Sequence, residues 1–139
     1  MSKFLTLDHI EKICFVYARA RLTHDEPIPS FETRFPNKLE SALAAPQRSY
    51  EGRLLYKTFE RQVAVFFYEM VKLHPFQNGN KRIATVSLMV FLTLNDKWLR
   101  ADWRELYDIA VTTASSNPEN RDGMLRLLEE FIRNKSTID

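Results

Sequence analysis

The sequence has few of the features that mark secreted, membrane-spanning or strand-rich proteins. Its one cysteine is Cys14, so no internal disulfide can form, and its apolar neighbours predict a small buried thiol. Glycine occurs three times, and stretches that alternate apolar and polar residues are nearly absent. The most apolar run, residues 86–94, is well short of the ~20 residues that cross a bilayer. These absences favour a helical protein of a reducing compartment.

The amino terminus and the overall charge exclude further classes. Met1-Ser2-Lys3-Phe4-Leu5 lacks the basic-then-apolar order of a signal peptide. The net charge is +2 and no stretch is dominated by one sign, so neither nucleic acid nor a membrane surface is an expected partner. With 139 residues, 45% of them hydrophobic, the chain has the size and composition of one folded domain. We therefore expect a cytoplasmic protein in which residues 1–139 form a single domain.

Helical spacing of apolar residues covers most of the chain. Thr6 can cap a first helix, with Leu5 and Ile10 at the two positions of a hydrophobic staple. The helix that begins at Asn80 is apolar on nearly every face after its first turn, so it should lie at the centre of the fold. The spacing predicts six helices, over residues 6–22, 37–44, 51–73, 80–95, 101–115 and 123–134. The expected fold class is all-α, around this buried central helix.

One segment breaks the helical pattern. Three prolines exclude a continuous helix over residues 22–36. Within it Phe31, Thr33 and Phe35 alternate with charged residues, which is typical of a short extended stretch. A loop of this length inside a compact domain is often functional.

The candidate chemistry lies in residues 74–82, His-Pro-Phe-Gln-Asn-Gly-Asn-Lys-Arg. A helix that starts just after Gly79 offers free N–H groups and partial positive charge to a phosphate, and glycine lets the backbone approach an anion closely. Lys81 and Arg82 oppose the helix dipole unless an anion lies between them. A histidine such as His74 can take a proton from an attacking hydroxyl. Together these residues indicate phosphoryl or nucleotidyl transfer.

Each feature also has an ordinary explanation. A histidine before a proline is usually a loop residue, and a lysine–arginine pair at a helix start usually lies on a solvated face. The combination within nine residues, leading into a buried helix, is what favours a site. Elsewhere, His9 and His24 lack metal-ligand spacing, and Trp98 and Trp103 are expected to close the core.

Residues 74–82 resemble the signature of the Fic/Doc family, His-Pro-Phe-x-(Asp or Glu)-Gly-Asn-(Gly or Lys)-Arg. Ile83-Ala84-Thr85 and the apolar run that follows resemble the Doc, or death-on-curing, branch. The resemblance implies a Fic-type helical domain with a short β-hairpin flap. It also implies that His74 activates a serine or threonine hydroxyl of a target protein.

The resemblance further assigns the nucleotide site. Gly79, Asn80 and Arg82 would hold the phosphates of ATP. Lys81 stands where Doc-type kinases have lysine and AMP-transferring Fic enzymes usually have glycine, which implies transfer of the terminal phosphate. Phe31, Thr33 and Phe35 would match the flap, beside which a target segment pairs as an added strand.

Asn78 departs from the signature, which has a magnesium-binding acid at this position. Asparagine offers only a neutral oxygen, whereas magnesium is usually held by carboxylates together with phosphates and waters. The departure leaves three alternatives open: weakened catalysis, a metal carried on ATP alone, or a domain that binds nucleotide without turning it over.

The leading hypothesis is a Doc-like toxin that transfers phosphate from ATP, with Mg²⁺, to a cytosolic protein. For this branch the implied target is a translation factor such as elongation factor Tu. The alternatives are AMP transfer to a protein and a catalytically weakened nucleotide-binding module. Residues 115–120 also fit the Ser-x-x-x-Glu-Asn motif of self-restrained Fic proteins, but Pro118 interrupts the required helix. We interpret that match as chance and expect restraint from a separate small antitoxin.

Overall fold

The computed structural model describes residues 2–138, so Met1 and Asp139 lie outside the described residues. Met1 is part of the amino-terminal segment used above to argue against a signal peptide. Within the described residues, six helices and two short antiparallel strand pairs confirm the all-α fold class. The first helix, α1, covers residues 7–21 and contains a π-helical stretch at Ile10–Phe15. The other elements are α2 (Pro36–Ala44), β1 (Ser49–Tyr50), β2 (Arg53–Leu54), α3 (Phe59–Lys72), α4 (Asn80–Leu94), β3 (Lys97–Leu99), α5 (Trp103–Ser115), α6 (Arg121–Lys135) and β4 (Ser136–Ile138).

The central helix is where the sequence predicts it. Every residue from 82 to 88 of α4 is buried, as expected of a helix that packs on all sides. Helix α3 lies against it and also packs against α5 and α6. The predicted cap is confirmed, because the Thr6 side chain accepts the N–H of His9. Cys14 is fully buried, and burial raises the pKa of its thiol to about 11, so it stays protonated at neutral pH.

The predicted helix over residues 51–73 is wrong in its first third, because α3 begins only at Phe59, behind a Thr58 cap. Strands β1 and β2 form a hairpin in which Ser49 pairs with Leu54. Glu51 and Gly52 connect them with φ of +50° and +77°, the backbone that two-residue hairpin turns require. The hairpin that the resemblance implies is therefore present, but it lies at residues 49–54.

The extended stretch predicted at Phe31, Thr33 and Phe35 is also wrong. Phe31–Thr33 form one turn of 3-10 helix, which the Thr33 hydroxyl stabilises by donating to the carbonyl of Ser30 at 2.7 Å. Phe31 is buried, with its ring edge-on to Phe15 at 5.2 Å between centroids. The two phenylalanines that suggested a strand therefore have different environments. Phe31 is a core side chain, whereas the ring of Phe35 is half-exposed.

The two tryptophans do not close the core as predicted. Trp98 is 52% exposed and Trp103 is 38% exposed. Trp98 lies on β3, which pairs with β4, and successive side chains of a strand point to opposite faces. Leu99 therefore takes the inward position, and Leu106 of α5 is also buried. Between residues 2 and 138, no helix has the length and hydropathy needed to cross a membrane.

Candidate functional site

The loop between α3 and α4 holds His74 in an unusual backbone conformation. His74 has a φ of +51° and its side chain is exposed. This left-handed region is uncommon for residues other than glycine and persists when neighbouring contacts determine it. Here the carbonyl of Pro75 accepts the N–H of Phe35 at 2.8 Å, and Phe76 is buried in the core. Packing of the two following residues thus determines how His74 is presented.

Asn80 determines the shape of the same loop. Its Oδ1 accepts the N–H of Phe76 at 2.9 Å, and its Nδ2 donates to the carbonyl of Phe76 at 2.8 Å. The Phe76 ring stacks on Phe15 with centroids 5.7 Å apart. Asn80, which the resemblance assigns to phosphate binding, therefore also closes the loop with both polar groups of its side chain.

Gly79 stands at the turn into α4 and has no room for a side chain. Its φ is +81°, and a Cβ built there would lie 2.6 Å from Cγ1 of Ile28. Its N–H donates to Oδ1 of Asn78 at 2.8 Å. Ile28, which is buried, packs directly against this glycine.

Gly79→Ala is expected to lower the free energy of unfolding by roughly 2–4 kcal/mol, because it adds a steric clash to the cost of a left-handed non-glycine residue. Urea titration measures the loss. Gly52→Ala is the matched control, since Gly52 has a similar φ of +77° but nothing within 4 Å of its Cβ. Equal losses in the two variants would mean that the contact with Ile28 contributes nothing.

Arg82 is buried and fastens residues 22–27, called the fastened segment below, to the start of α4. It donates to the carbonyl of Leu22 at 2.7 Å and to that of Glu26 at 2.6 Å. The Asn78 amide donates to the carbonyls of Glu26 at 3.3 Å and Pro27 at 3.2 Å. These carbonyls offset the unfavourable position of the Arg82 cation near the helix N-terminus. The guanidinium of Arg82 is therefore bound by backbone carbonyls, which could not be inferred from the sequence.

A small, partly open cleft lies beside this fastened segment. One wall is the start of α4, with residues 78–82 and Thr85, and the cation of Lys81 is exposed there. The other walls come from His24 and Asp25 on the fastened segment and from Trp103 and Tyr107 on α5. The His24 ring lies 6.0 Å from that of Trp103 and 6.2 Å from that of Tyr107, edge to face in both cases.

The cleft brings together some of the predicted residues and leaves out others. Asn78, Gly79, Asn80, Lys81 and Arg82 all line it. His74 belongs to the same loop but is not among the lining residues, and neither is any of Phe31, Thr33 and Phe35. Sequence reasoning missed the other six lining residues because nothing in their local pattern distinguishes them from ordinary loop or helix residues: His24, Asp25, Thr85, Trp103, Tyr107 and Ala110.

Metal binding and residues 115–120 were also considered at the sequence level. In residues 2–138, no group of three or more histidine, cysteine or acidic side chains is arranged to hold a metal ion. Residues 115–120 lie at the end of α5 and in a 3-10 turn, Pro118–Asn120, with Glu119 exposed. The interpretation of this segment as a loop between two helices is confirmed.

Fold and cleft together define a helical domain whose central helix begins beside a cleft lined by Lys81 and Arg82. A sequence model of the Fic/DOC family matches residues 4–92, which is more than half of the chain. The protein belongs to the Fic/DOC family. Members of this family are typically transferases, and the family suggests transfer of a nucleotide-derived group to proteins. No curated protein and no solved structure gives a significant match to the chain.

Proposed function

We propose that the protein is a Doc-like toxin that phosphorylates a serine or threonine hydroxyl of a cytosolic protein with ATP. The observation that carries the proposal is the cleft at the start of α4, where Gly79, Lys81 and Arg82 lie together. Two cations beside free helix N–H groups favour a ligand with several negative charges. Family membership makes a nucleotide the natural ligand of this kind.

In the proposed reaction, His74 accepts the proton of the target hydroxyl. The hydroxyl oxygen attacks the γ-phosphorus of ATP at the same time. The bond between that phosphorus and the β,γ-bridging oxygen breaks, and ADP leaves. Lys81 and Arg82 offset the charge on the phosphate oxygens, which is the main contribution a protein makes to phosphoryl transfer. The exposure of His74 and its left-handed backbone support this role, because strained residues concentrate at functional sites.

Magnesium would neutralise charge on the β- and γ-phosphate oxygens. Asn78 fits this ion poorly. Its side-chain oxygen accepts the N–H of Gly79, and its amide faces two backbone carbonyls. The Asp25 carboxylate in the same cleft is a chemically suitable oxygen donor.

A catalytically silent nucleotide-binding module is a second candidate. The observation that favours it is the hydrogen bonding of Asn78 and Arg82, which are both engaged with the backbone of residues 22–27. In that case the chain would bind ATP at the start of α4 without completing transfer. Toxicity, an antitoxin partner and a translation-factor target belong to the first candidate alone.

ATP labelled on either the γ- or the α-phosphate separates the chemistries. We expect the γ-label to appear on a protein when the full chain is incubated with cell lysate, and mass spectrometry to find one added phosphate. An α-label on the protein would instead establish AMP transfer. ATP binding without transfer of either label would favour the silent module, and absence of ATP binding would contradict both candidates.

A further inference from the structure

Among the described residues, Asp25 is the one acidic residue that lines the cleft. It lines the same cleft as Lys81 and Arg82, although it lies more than fifty residues earlier in the chain. Its Oδ1 accepts the N–H of the next residue, Glu26, at 2.8 Å. Within residues 2–138 the Asp25 carboxylate makes no ion pair within 4.0 Å.

The position of Asp25 is maintained by contacts on both sides of it. Arg82 holds the carbonyls of Leu22 and Glu26, which bracket Asp25 in the chain. The Asn78 amide holds the carbonyl of Glu26 as well, and Ile28 is buried against Gly79. An aspartate at position 78 could not donate these hydrogen bonds and would repel the carbonyls. Asparagine at this position and a carboxylate at position 25 are therefore parts of one arrangement.

A carboxylate beside bound phosphates raises an electrostatic problem. Two groups of like charge repel each other in a partly enclosed cleft. A divalent cation between them converts the repulsion into attraction, because the ion is then the largest local charge. Magnesium commonly binds in this way, through one or two carboxylates together with substrate phosphates and water.

We propose that Asp25 supplies the divalent-cation carboxylate that position 78 lacks, and that it binds the ion together with the phosphates of a nucleoside triphosphate. This inference rests on the proposed binding of ATP, but it is independent of which group is transferred. It assigns to residues 22–28 the function of carrying a metal ligand into the cleft. The fastening by Asn78 and Arg82 then positions that ligand.

The test measures ATP affinity of the full chain by calorimetry, with Mg²⁺ and again with a chelator. Asp25→Asn should weaken ATP binding roughly three- to tenfold with Mg²⁺ and strengthen it by a similar factor without the ion, because the carboxylate then only repels phosphate. Glu32→Gln removes the same charge from an exposed residue outside the cleft and should change neither affinity. A change in ATP affinity that has opposite signs with and without Mg²⁺ identifies a metal ligand. Loss of a negative charge alone, or of the folded structure, would change the affinity in the same direction in both conditions.

Mn²⁺ in place of Mg²⁺ provides a readout that does not depend on turnover. The electron paramagnetic resonance spectrum of Mn²⁺ with ATP and the protein should show retained ion for the parent and for Glu32→Gln, and loss of retention for Asp25→Asn.

An Asp25→Asn variant that behaves like Glu32→Gln in both measurements would overturn the proposal. Failure of the proposed function has a different signature. In that case the ion and ATP are retained in an Asp25-dependent way, but no label reaches any protein.

Discussion

His74→Ala should reduce transfer of labelled phosphate to the target protein by a factor of about 10²–10⁴, the usual contribution of a general base. The imidazole is the one side chain of residues 74–82 suited to accept a proton from the attacking hydroxyl. Its exposure leaves it accessible to a macromolecular substrate. ATP affinity should change little, because His74 does not line the cleft. Expression of the variant should no longer arrest growth.

A second variant is needed because alanine could change the left-handed backbone at position 74 as well as remove the imidazole. His74→Asn keeps a residue that tolerates a φ of +51° and removes the imidazole, so it isolates the loss of the base from any change in loop geometry. Gln77→Ala, at an exposed position of the same loop, is the control and should retain transfer. If both His74 variants matched the parent in rate and toxicity, the catalytic hypothesis would be wrong.

Arg82→Ala should lower the free energy of unfolding by roughly 2–4 kcal/mol and also abolish the thermal stabilisation that we expect ATP to give the parent. The loss of stability follows from the carbonyls of Leu22 and Glu26, which would keep no guanidinium partner. Residues 22–28 would then separate from the start of α4. Urea unfolding measures the first effect, and melting with and without ATP measures the second.

Lys81→Ala is the matched comparison for Arg82→Ala. It removes the same charge from the neighbouring position, but Lys81 is exposed, so its unfolding free energy should change by less than about 0.5 kcal/mol. Both variants should weaken ATP binding. Arg82→Lys should still lose most of the stability, since a single ammonium does not reproduce the fork that reaches two carbonyls. Equal stability of the Ala variants at 81 and 82 would refute the fastening role.

Features with a local cause were predictable from the sequence. The Thr6 cap and the buried α4 follow from residue type and helical spacing, which act over a few positions. The break before Pro75 follows from proline stereochemistry, and Phe76 lies in the core as an apolar residue of a polar loop should. The nine residues that point to the family are also contiguous. None of these inferences needs knowledge of what lies across the molecule.

Features that depend on distant partners were not predictable. The β1–β2 hairpin consists of strands of two residues each, too short for an alternation pattern to be recognised. Strands β3 and β4 pair across roughly forty residues of chain, and nothing local identifies one as the partner of the other. The errors at residues 31–35 and at both tryptophans have the same origin, because burial of an aromatic ring is decided by its tertiary neighbours.

The sequence by itself determined that this is a helical protein of the Fic/DOC family with a glycine-bearing loop leading into a buried central helix. Only the tertiary structure decided what that loop contacts. Asn78 and Arg82 meet the carbonyls of residues more than fifty positions earlier, and the same contacts carry Asp25 into the cleft. The reason is physical: capping and periodicity act along the chain, whereas satisfying a buried guanidinium requires acceptors that only the folded chain brings within 3 Å.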